Sequence, residues 1–253
     1  MRSGPGTCRS GRRSATSRQA MMSARLTAAR RPPAGPRPSL RREHFRVTEQ
    51  DPDTATSRPA APAIPQPAAG ECVVLTHGFM ANRWMLALLA SRLRARGWST
   101  RNWGYPSLRP SVLEHAGRFA DLLTELDADP GISRLHLVTH SMGSIIGRAA
   151  LARVRPRKLG RFVMLAPPNR GSFVATATAG FVGGVLRPVS ELSTRADSLV
   201  NTLAEPIGIE VGVIAAGWDQ LVSLESTRLT MPHGHVTLGC MHSALLFRRE
   251  AAD

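Results

Sequence analysis

The sequence has few cysteines, a single lysine and no long apolar run. Its three cysteines, Cys8, Cys72 and Cys240, are odd in number and lack metal-ligand spacing, so neither a disulfide framework nor a metal site is expected. No run approaches the length of about 18 apolar residues that a membrane-spanning helix needs. Lysine occurs only at Lys158, so nearly all of the net charge of +15 comes from arginine.

The positive charge is unevenly distributed along the chain. Residues 1–70 contain 13 arginines and four acidic residues, whereas residues 71–253 contain 20 basic and 14 acidic residues. A basic chain usually indicates a nucleic-acid or anionic-membrane partner. Because the excess is concentrated in the first quarter, we expect no specific nucleic-acid partner. Transient contact of this segment with an anionic membrane is the remaining expectation.

Residues 1–69 are rich in Arg, Ser, Pro, Ala and Gly and show no apolar periodicity, which predicts a disordered segment. The stretch 58–67 (RPAAPAIPQP) is expected to be extended, because each proline lacks an N–H and has a fixed φ. No continuous apolar stretch typical of a secretory signal is present, which favours a cytoplasmic location. An organelle transit segment and a start codon assigned too far upstream, with Met21 or Met22 as the true start, explain the composition equally well.

Residues 70–253 alternate short apolar runs with helical patterns. The predicted strands cover 72–76, 98–103, 135–139, 162–165, 210–215 and 235–238, and the predicted helices cover 83–96, 111–126, 141–154 and 244–250. This alternation predicts an α/β domain with a mostly parallel sheet of about six strands and helices on both faces. The connection 169–206 is long, and we interpret it as a lid or substrate-binding insertion. A surface excursion with one packed helix is the alternative.

The segment 135–146 (LHLVTHSMGSII) carries the strongest chemical signal. An apolar strand enters a turn of small residues and a helix follows at once, as in a nucleophile elbow, with Ser141 as the nucleophile. Gly143 supplies the small residue after the serine, but Thr139 stands where glycine is usual. The alternative is a strand-to-helix turn in which Ser141 only caps the helix.

The loop 76–80 (THGFM) directly follows the first predicted strand. A tetrahedral oxyanion needs two preorganised donors, and backbone N–H groups meet this need. We assign these donors to Phe79 and Met142, because Gly78 lets the chain turn close to the site. Taken alone, the loop would be an ordinary strand-end turn.

A serine nucleophile needs a base and an acid that orients the base. His242 lies in a loop just after the last predicted strand, whereas His233 and His235 precede or begin that strand. Asp219 closely follows the fifth predicted strand, and Glu225 is the main alternative acid. The predicted triad is therefore Ser141, Asp219 and His242, in the chain order Ser, Asp, His.

These motifs together resemble small bacterial α/β-hydrolases of the lipase and esterase kind. The resemblance covers roughly residues 71–250 and rests on five segments: 73–79 as oxyanion loop, 139–143 as elbow, 166–172, 219–227 as acid loop and 241–243 as histidine loop. It implies the α/β-hydrolase fold. Gln220 and Ser144 depart from the pattern, since glycine is common at both positions.

The resulting expectation is hydrolysis of a carboxylic ester, lipid or small molecule, through an acyl-enzyme and without metal or organic cofactor. The apolar, glycine-rich stretch 175–186 favours a substrate with a lipid-like acyl chain. Two alternatives stay open. The same triad could serve an acyltransferase or an amidase, or the domain could be a catalytically silent scaffold with a basic anion-binding arm. The oligomeric state is open as well.

Overall fold

The computed structural model describes residues 66–108, 110–182 and 187–253, and of residues 178–182 and 187 it describes the backbone only. The chain divides into two units, Met1–Pro59 and Ala60–Asp253, and the described residues all lie in the second. Apart from residues 66–69, the predicted disordered segment lies outside the described residues. Disorder in this segment and its contact with a membrane therefore stay predictions.

Six strands alternate with helices along the described chain. The strands are β1 (Glu71–Thr76), β2 (Ser99–Trp103), β3 (Arg134–His140), β4 (Leu159–Leu165), β5 (Glu210–Ala216) and β6 (Gly234–Leu238). The α-helices are α1 (Ala87–Ala95), α2 (Val112–Ala128), α3 (Met142–Leu151), α4 (Phe173–Val182), α5 (Arg187–Glu191) and α6 (Leu199–Thr202). Short 3₁₀ helices cover Arg83–Leu86, Glu225–Thr227 and His242–Phe247.

All six strands are parallel and form one sheet in the order β2-β1-β3-β4-β5-β6. Thr139 pairs in register with Thr76 on one side and with Met164 on the other, so β1, β3 and β4 end at the same level. Because the strands are parallel, the loops that follow them all leave from one edge of the sheet. The predicted α/β-hydrolase fold with its parallel sheet is confirmed.

Helices cover both faces of the sheet because the strand side chains alternate between the two faces. On β1, Cys72 and Val74 pack with α2 and α3, whereas Val73 and Leu75 pack with α1 and the C-terminal 3₁₀ helix. Strands that are buried on both faces read as continuous apolar runs, which made the sheet recognisable from the sequence.

Two predicted helices differ from the structure. The helix predicted over 83–96 is split, because the Asn82 side chain accepts a hydrogen bond from the Trp84 N–H at 3.0 Å and caps a 3₁₀ turn before α1 begins. The closing helix predicted over 244–250 is instead a 3₁₀ helix over His242–Phe247. It begins at the predicted base itself, and short 3₁₀ pieces of this kind are common as connectors.

Candidate active site

Ser141 lies on a strained turn between β3 and α3. Its backbone has φ of 52° and ψ of −124°, a left-handed value of φ that residues with a side chain rarely adopt. The Ser141 N–H donates to the carbonyl of Leu165 at 2.9 Å, which ties the turn to the end of β4. The serine is half-buried, and α3 begins with the next residue, Met142. The hydroxyl therefore stands at the positive end of a helix, as the elbow motif requires.

Two glycines permit this turn because other groups approach them closely. A Cβ on Gly78 would lie 2.8 Å from the Ser141 Cβ, and a Cβ on Gly143 would lie 2.5 Å from the His77 carbonyl oxygen. The loop after β1 and the first turn of α3 are thus in direct contact around Ser141. Any side chain at either position would separate them.

The loop after β1 brings Phe79 to the site, beside Ser141 in the wall of one cavity. Met142 is the first residue of α3, and its N–H has no acceptor within the helix. Both residues assigned as oxyanion donors are thus near the serine. Their role in binding an oxyanion stays a prediction.

His77 braces this loop. Its ring stacks on Tyr105 with centroids 4.2 Å apart and planes 3° from parallel. The Tyr105 hydroxyl donates to the His77 carbonyl at 2.7 Å, and the Tyr105 N–H donates to His77 Nε2 at 3.3 Å. His77 Nδ1 in turn donates to the Gly78 carbonyl at 2.9 Å, so the ring is neutral. Burial lowers the His77 pKa, which keeps the ring in this form.

Asp219 and His242 form a buried hydrogen-bonded pair. His242 Nδ1 donates to Asp219 Oδ2 at 2.7 Å, and the side chains are 9% and 2% exposed, respectively. Asp219 Oδ1 accepts from the backbone N–H groups of Leu221 at 2.8 Å and Val222 at 2.9 Å. Burial alone would raise the Asp219 pKa, but the bond from His242 and these backbone bonds outweigh it, so the pKa is lowered. The carboxylate stays charged and fixes the orientation of the ring.

The alternative acid and bases have other partners. Glu225 forms an exposed ion pair with Arg170, with the Arg170 Nη1 and Glu225 Oε1 atoms 2.6 Å apart. His233 Nδ1 donates to the Met231 carbonyl at 2.8 Å, and His235 Nε2 lies 2.9 Å from the Thr227 hydroxyl. The structure thus brings Asp219 and His242 together, and it places none of these three alternatives against either residue.

Ser141 and His242 are not joined by a hydrogen bond among the residues that the structure describes. Hydrogen bonds of this kind are often long or misaligned in a free enzyme and shorten when substrate binds. His140, the residue before the serine, instead contacts His242. Its Nε2–H donates to the His242 carbonyl at 3.4 Å, and the two ring centroids are 4.9 Å apart.

No local sequence signal marks His140 for a role in the site. Its side chain is buried, and among the described residues no hydrogen-bond partner faces its Nδ1. Burial, followed by the nearby His242, lowers the His140 pKa to about 3. The ring is therefore a neutral support beneath the histidine loop.

An apolar cavity of about 130 Å³ opens beside Ser141. Its wall is formed by Phe79, Ser141, Pro168, Ser172, Val174, Ala175, Val189, Leu192, Leu221 and Val222. The predicted insertion therefore supplies part of this wall, through α4, α5 and the residues after them. Movement of the insertion as a lid stays a prediction. Residues 183–186 of its glycine-rich stretch lie outside the described residues.

A larger recess, of about 350 Å³, lies elsewhere on the sheet. It runs along β3 to β6 on the α1 side, and neither Ser141, Asp219 nor His242 lines it. Other recesses, of up to about 530 Å³, are larger still, so size does not select the site. The strained Ser141 turn and the buried Asp219–His242 pair, which mark a reactive site, lie outside this recess.

Comparison with known proteins identifies the family of this chain. The model of the Alpha/beta hydrolase family matches residues 73–242, which run from β1 to His242 itself. The chain belongs to the α/β-hydrolase family. The resemblance seen in its motifs is thereby confirmed, and membership supports a hydrolase. A search of curated proteins finds no match.

Solved structures similar to this α/β-hydrolase include lipases and an esterase. A Bacillus licheniformis lipase in mature form aligns with a TM-score of 0.58 and 16% identity, over 74% of this chain and 90% of that chain. A metagenomic carboxyl esterase aligns with a TM-score of 0.58 and 17% identity, over 75% and 69%. Aspergillus fumigatus lipase B gives 0.57 and 14%, over 72% and 50%. At these identities the likeness shows the shared fold alone.

Two further structural observations concern the described part of this α/β-hydrolase. It contains no group of three or more His, Cys, Asp or Glu side chains that could hold a metal ion. Nor does any of its helices combine the length and the apolar character needed to cross a bilayer.

Proposed function

We propose that this α/β-hydrolase is a serine ester hydrolase with Ser141 as nucleophile, His242 as base and Asp219 as orienting acid. The single observation that carries the proposal is the buried Asp219–His242 pair, joined at 2.7 Å, on the same sheet edge as the strained Ser141 turn. A strained serine, an oriented imidazole and a fixed carboxylate are the parts that acyl transfer needs.

In the proposed mechanism, the Ser141 oxygen attacks the ester carbonyl carbon while His242 Nε2 takes the hydroxyl proton. Asp219 holds the ring in the required tautomer and stabilises the imidazolium that forms. The N–H groups of Phe79 and Met142 bind the oxyanion. The imidazolium then protonates the departing alkoxide, which leaves Ser141 acylated. Water, deprotonated by His242, attacks the acyl group and releases the acid and the free serine.

The cavity beside Ser141 supports an apolar and short acyl group. An apolar protein cavity of about 150 Å³ is known to take benzene, so the 130 Å³ cavity has room for about six carbon atoms. We therefore propose esters of short acyl chains as substrates. This proposal replaces the long lipid-like chains that the composition of the stretch 175–186 favours. Exposed Met80, Trp218 and Met241 in the loops after β1, β5 and β6, and Trp84 in the 3₁₀ helix Arg83–Leu86, offer an apolar surface to the rest of the ester.

The test is hydrolysis of p-nitrophenyl esters from acetate to palmitate by the wild type and by Ser141→Ala. We expect activity that is highest for acyl chains of up to about six carbons and that vanishes in the variant. A propanol acceptor added to the assay separates acyl transfer from hydrolysis. A folded wild type that is no more active than Ser141→Ala on every ester would refute the proposal and return the silent-scaffold alternative.

A further inference from the structure

The segment Asn169–Ser172, between β4 and α4, is hydrogen-bonded along its length to the acid loop that carries Asp219. The contacts are Asn169 Nδ2 to the Thr227 carbonyl at 2.8 Å, Arg170 N–H to the Ser226 carbonyl at 3.0 Å, Ser226 Oγ to the Gly171 carbonyl, and Ser172 Oγ to the Leu221 carbonyl at 2.6 Å. The segment therefore supports the acid loop from one end to the other.

The Ser172 hydroxyl makes the contact that is nearest to Asp219 along the acid loop, at Leu221. It is buried, it donates to the Leu221 carbonyl, and it accepts from the Ala175 N–H at 3.3 Å in the first turn of α4. Ser172 also belongs to the wall of the cavity beside Ser141. This one side chain of the insertion thus contacts α4 and the acid loop, and it lines the proposed acyl cavity.

The bond from Ser172 falls on a peptide group that Asp219 also uses. The Leu221 carbonyl and the Val222 N–H belong to the same peptide, and that N–H donates to Asp219 Oδ1 at 2.9 Å. A continuous chain of hydrogen bonds therefore runs from the Ser172 hydroxyl through this peptide to Asp219 and on to His242. A donor at the carbonyl of a peptide polarises it and strengthens its N–H as a donor.

We propose that Ser172 is a positioning residue for Asp219, acting through the Leu221–Val222 peptide. Given the role of Asp219 under the proposed function, it sets the orientation and donor strength of the N–H that holds the carboxylate in place. Because the same hydroxyl caps α4, the position of the first turn of α4 is linked to the alignment of the triad.

The test compares Ser172→Ala with Ser172→Thr, which keeps the hydroxyl, and with Ser226→Ala as the matched control. Ser226→Ala removes a hydroxyl bond between the same two segments, but this bond does not involve the Leu221–Val222 peptide. With p-nitrophenyl acetate we expect Ser172→Ala to lower kcat about five- to tenfold with KM within about twofold. Ser172→Thr should restore kcat, and Ser226→Ala should change it less than about twofold.

The decisive measurement repeats Ser172→Ala in the Asp219→Ala background, which has no side-chain acceptor for the Val222 N–H. If Ser172 acts through Asp219, its loss has no further effect on kcat there, because the bond that it supports is already gone. Equal losses in both backgrounds, a loss confined to KM, or an equal loss in Ser226→Ala would overturn the proposal. Thermal unfolding of each variant identifies any loss of kcat that comes from misfolding.

A second readout does not depend on esterase activity, so failure of this proposal is separable from failure of the proposed function. We expect the His242 Nδ1 proton, which lies in a 2.7 Å bond to Asp219, to give a downfield resonance in proton NMR. We expect Ser172→Ala to move this resonance upfield, Ser172→Thr to restore it, and Ser226→Ala to leave it in place. A resonance that Ser172→Ala does not move would overturn the proposal even in a protein without ester hydrolysis.

Discussion

The hydroxyl oxygens of Thr139 and Ser144 lie 2.8 Å apart, and both side chains are fully buried between β3 and α3. These are two positions at which the elbow departs from the family pattern, since glycine is usual at both. The two departures are therefore partners, because the Thr139 hydroxyl donates to the Ser144 hydroxyl where neither meets water. The pair holds the strand before Ser141 against the helix after it.

Thr139→Val tests this relationship. Valine keeps the shape of threonine but leaves the Ser144 hydroxyl buried without its partner, which should lower the free energy of unfolding by about 1–3 kcal/mol. Thr139→Val combined with Ser144→Ala should cost clearly less than the two single changes added together. Urea unfolding of the four proteins measures the coupling, and strictly additive costs would contradict it.

Gly78→Ala should reduce activity by about 100-fold, because its Cβ would lie 2.8 Å from the Ser141 Cβ and would displace the loop that presents Phe79. Gly212→Ala is the matched control, since the nearest atom to its Cβ is 3.9 Å away. That control should keep near wild-type kcat/KM for a p-nitrophenyl ester. Similar losses from both glycines would show that the close approach at Gly78 has no special importance.

Asp219→Asn should lower kcat by about 10³- to 10⁴-fold, because an amide can present the wrong hydrogen-bonding group to His242 Nδ1. Glu225→Gln, at the alternative acid, should lose only the exposed pair with Arg170 and leave kcat within about twofold. Steady-state kinetics on the two variants distinguish the acids. A larger loss from Glu225→Gln would reassign the role.

Stability should fall as the pH falls below about 6.5, the ordinary histidine value. Burial lowers the His140 pKa to about 3, so between these pH values the unfolded chain binds a proton that the folded chain does not. Because the folded pKa is the lower one, the stability is present above 6.5 and is lost on acidification. His140 alone should contribute a loss of about 2 kcal/mol between pH 6.5 and pH 5.

Urea unfolding at pH 7 and at pH 5 measures this dependence. The folded pKa values of His77, His115 and His136 are also lowered, chiefly by burial, and they act in the same direction. His140→Gln should therefore reduce the pH dependence without abolishing it. An unchanged slope in that variant would show that His140 titrates in the folded chain as it does in the unfolded one.

Much of the fold was predictable because its signals are local. Strands buried on both faces, such as β1 and β3, appear as continuous apolar runs, and the amphipathic pattern of α2 follows a capping box formed by Ser111 and Glu114. The start of β4 at Leu159 was missed by three residues, because Gly160 and Arg161 interrupt the apolar run. Hydrogen bonds to neighbouring strands carry β4 through these residues, and periodicity does not detect such bonds.

The candidate site, like the fold, could be predicted from the sequence only in part. Parallel strands send their following loops to one edge, so residues just after β1, β3, β5 and β6 could be placed together from their positions in the chain. Sequence was therefore enough to propose Ser141, Asp219 and His242 as candidates, and their catalytic roles stay predictions. It could not establish that Asp219 rather than Glu225 contacts His242. Nor could it establish that His140 supports the histidine loop or that the Ser172 hydroxyl bonds to the Leu221–Val222 peptide. Those pairings depend on loop paths and contacts between residues distant in sequence, which only the packed structure decides.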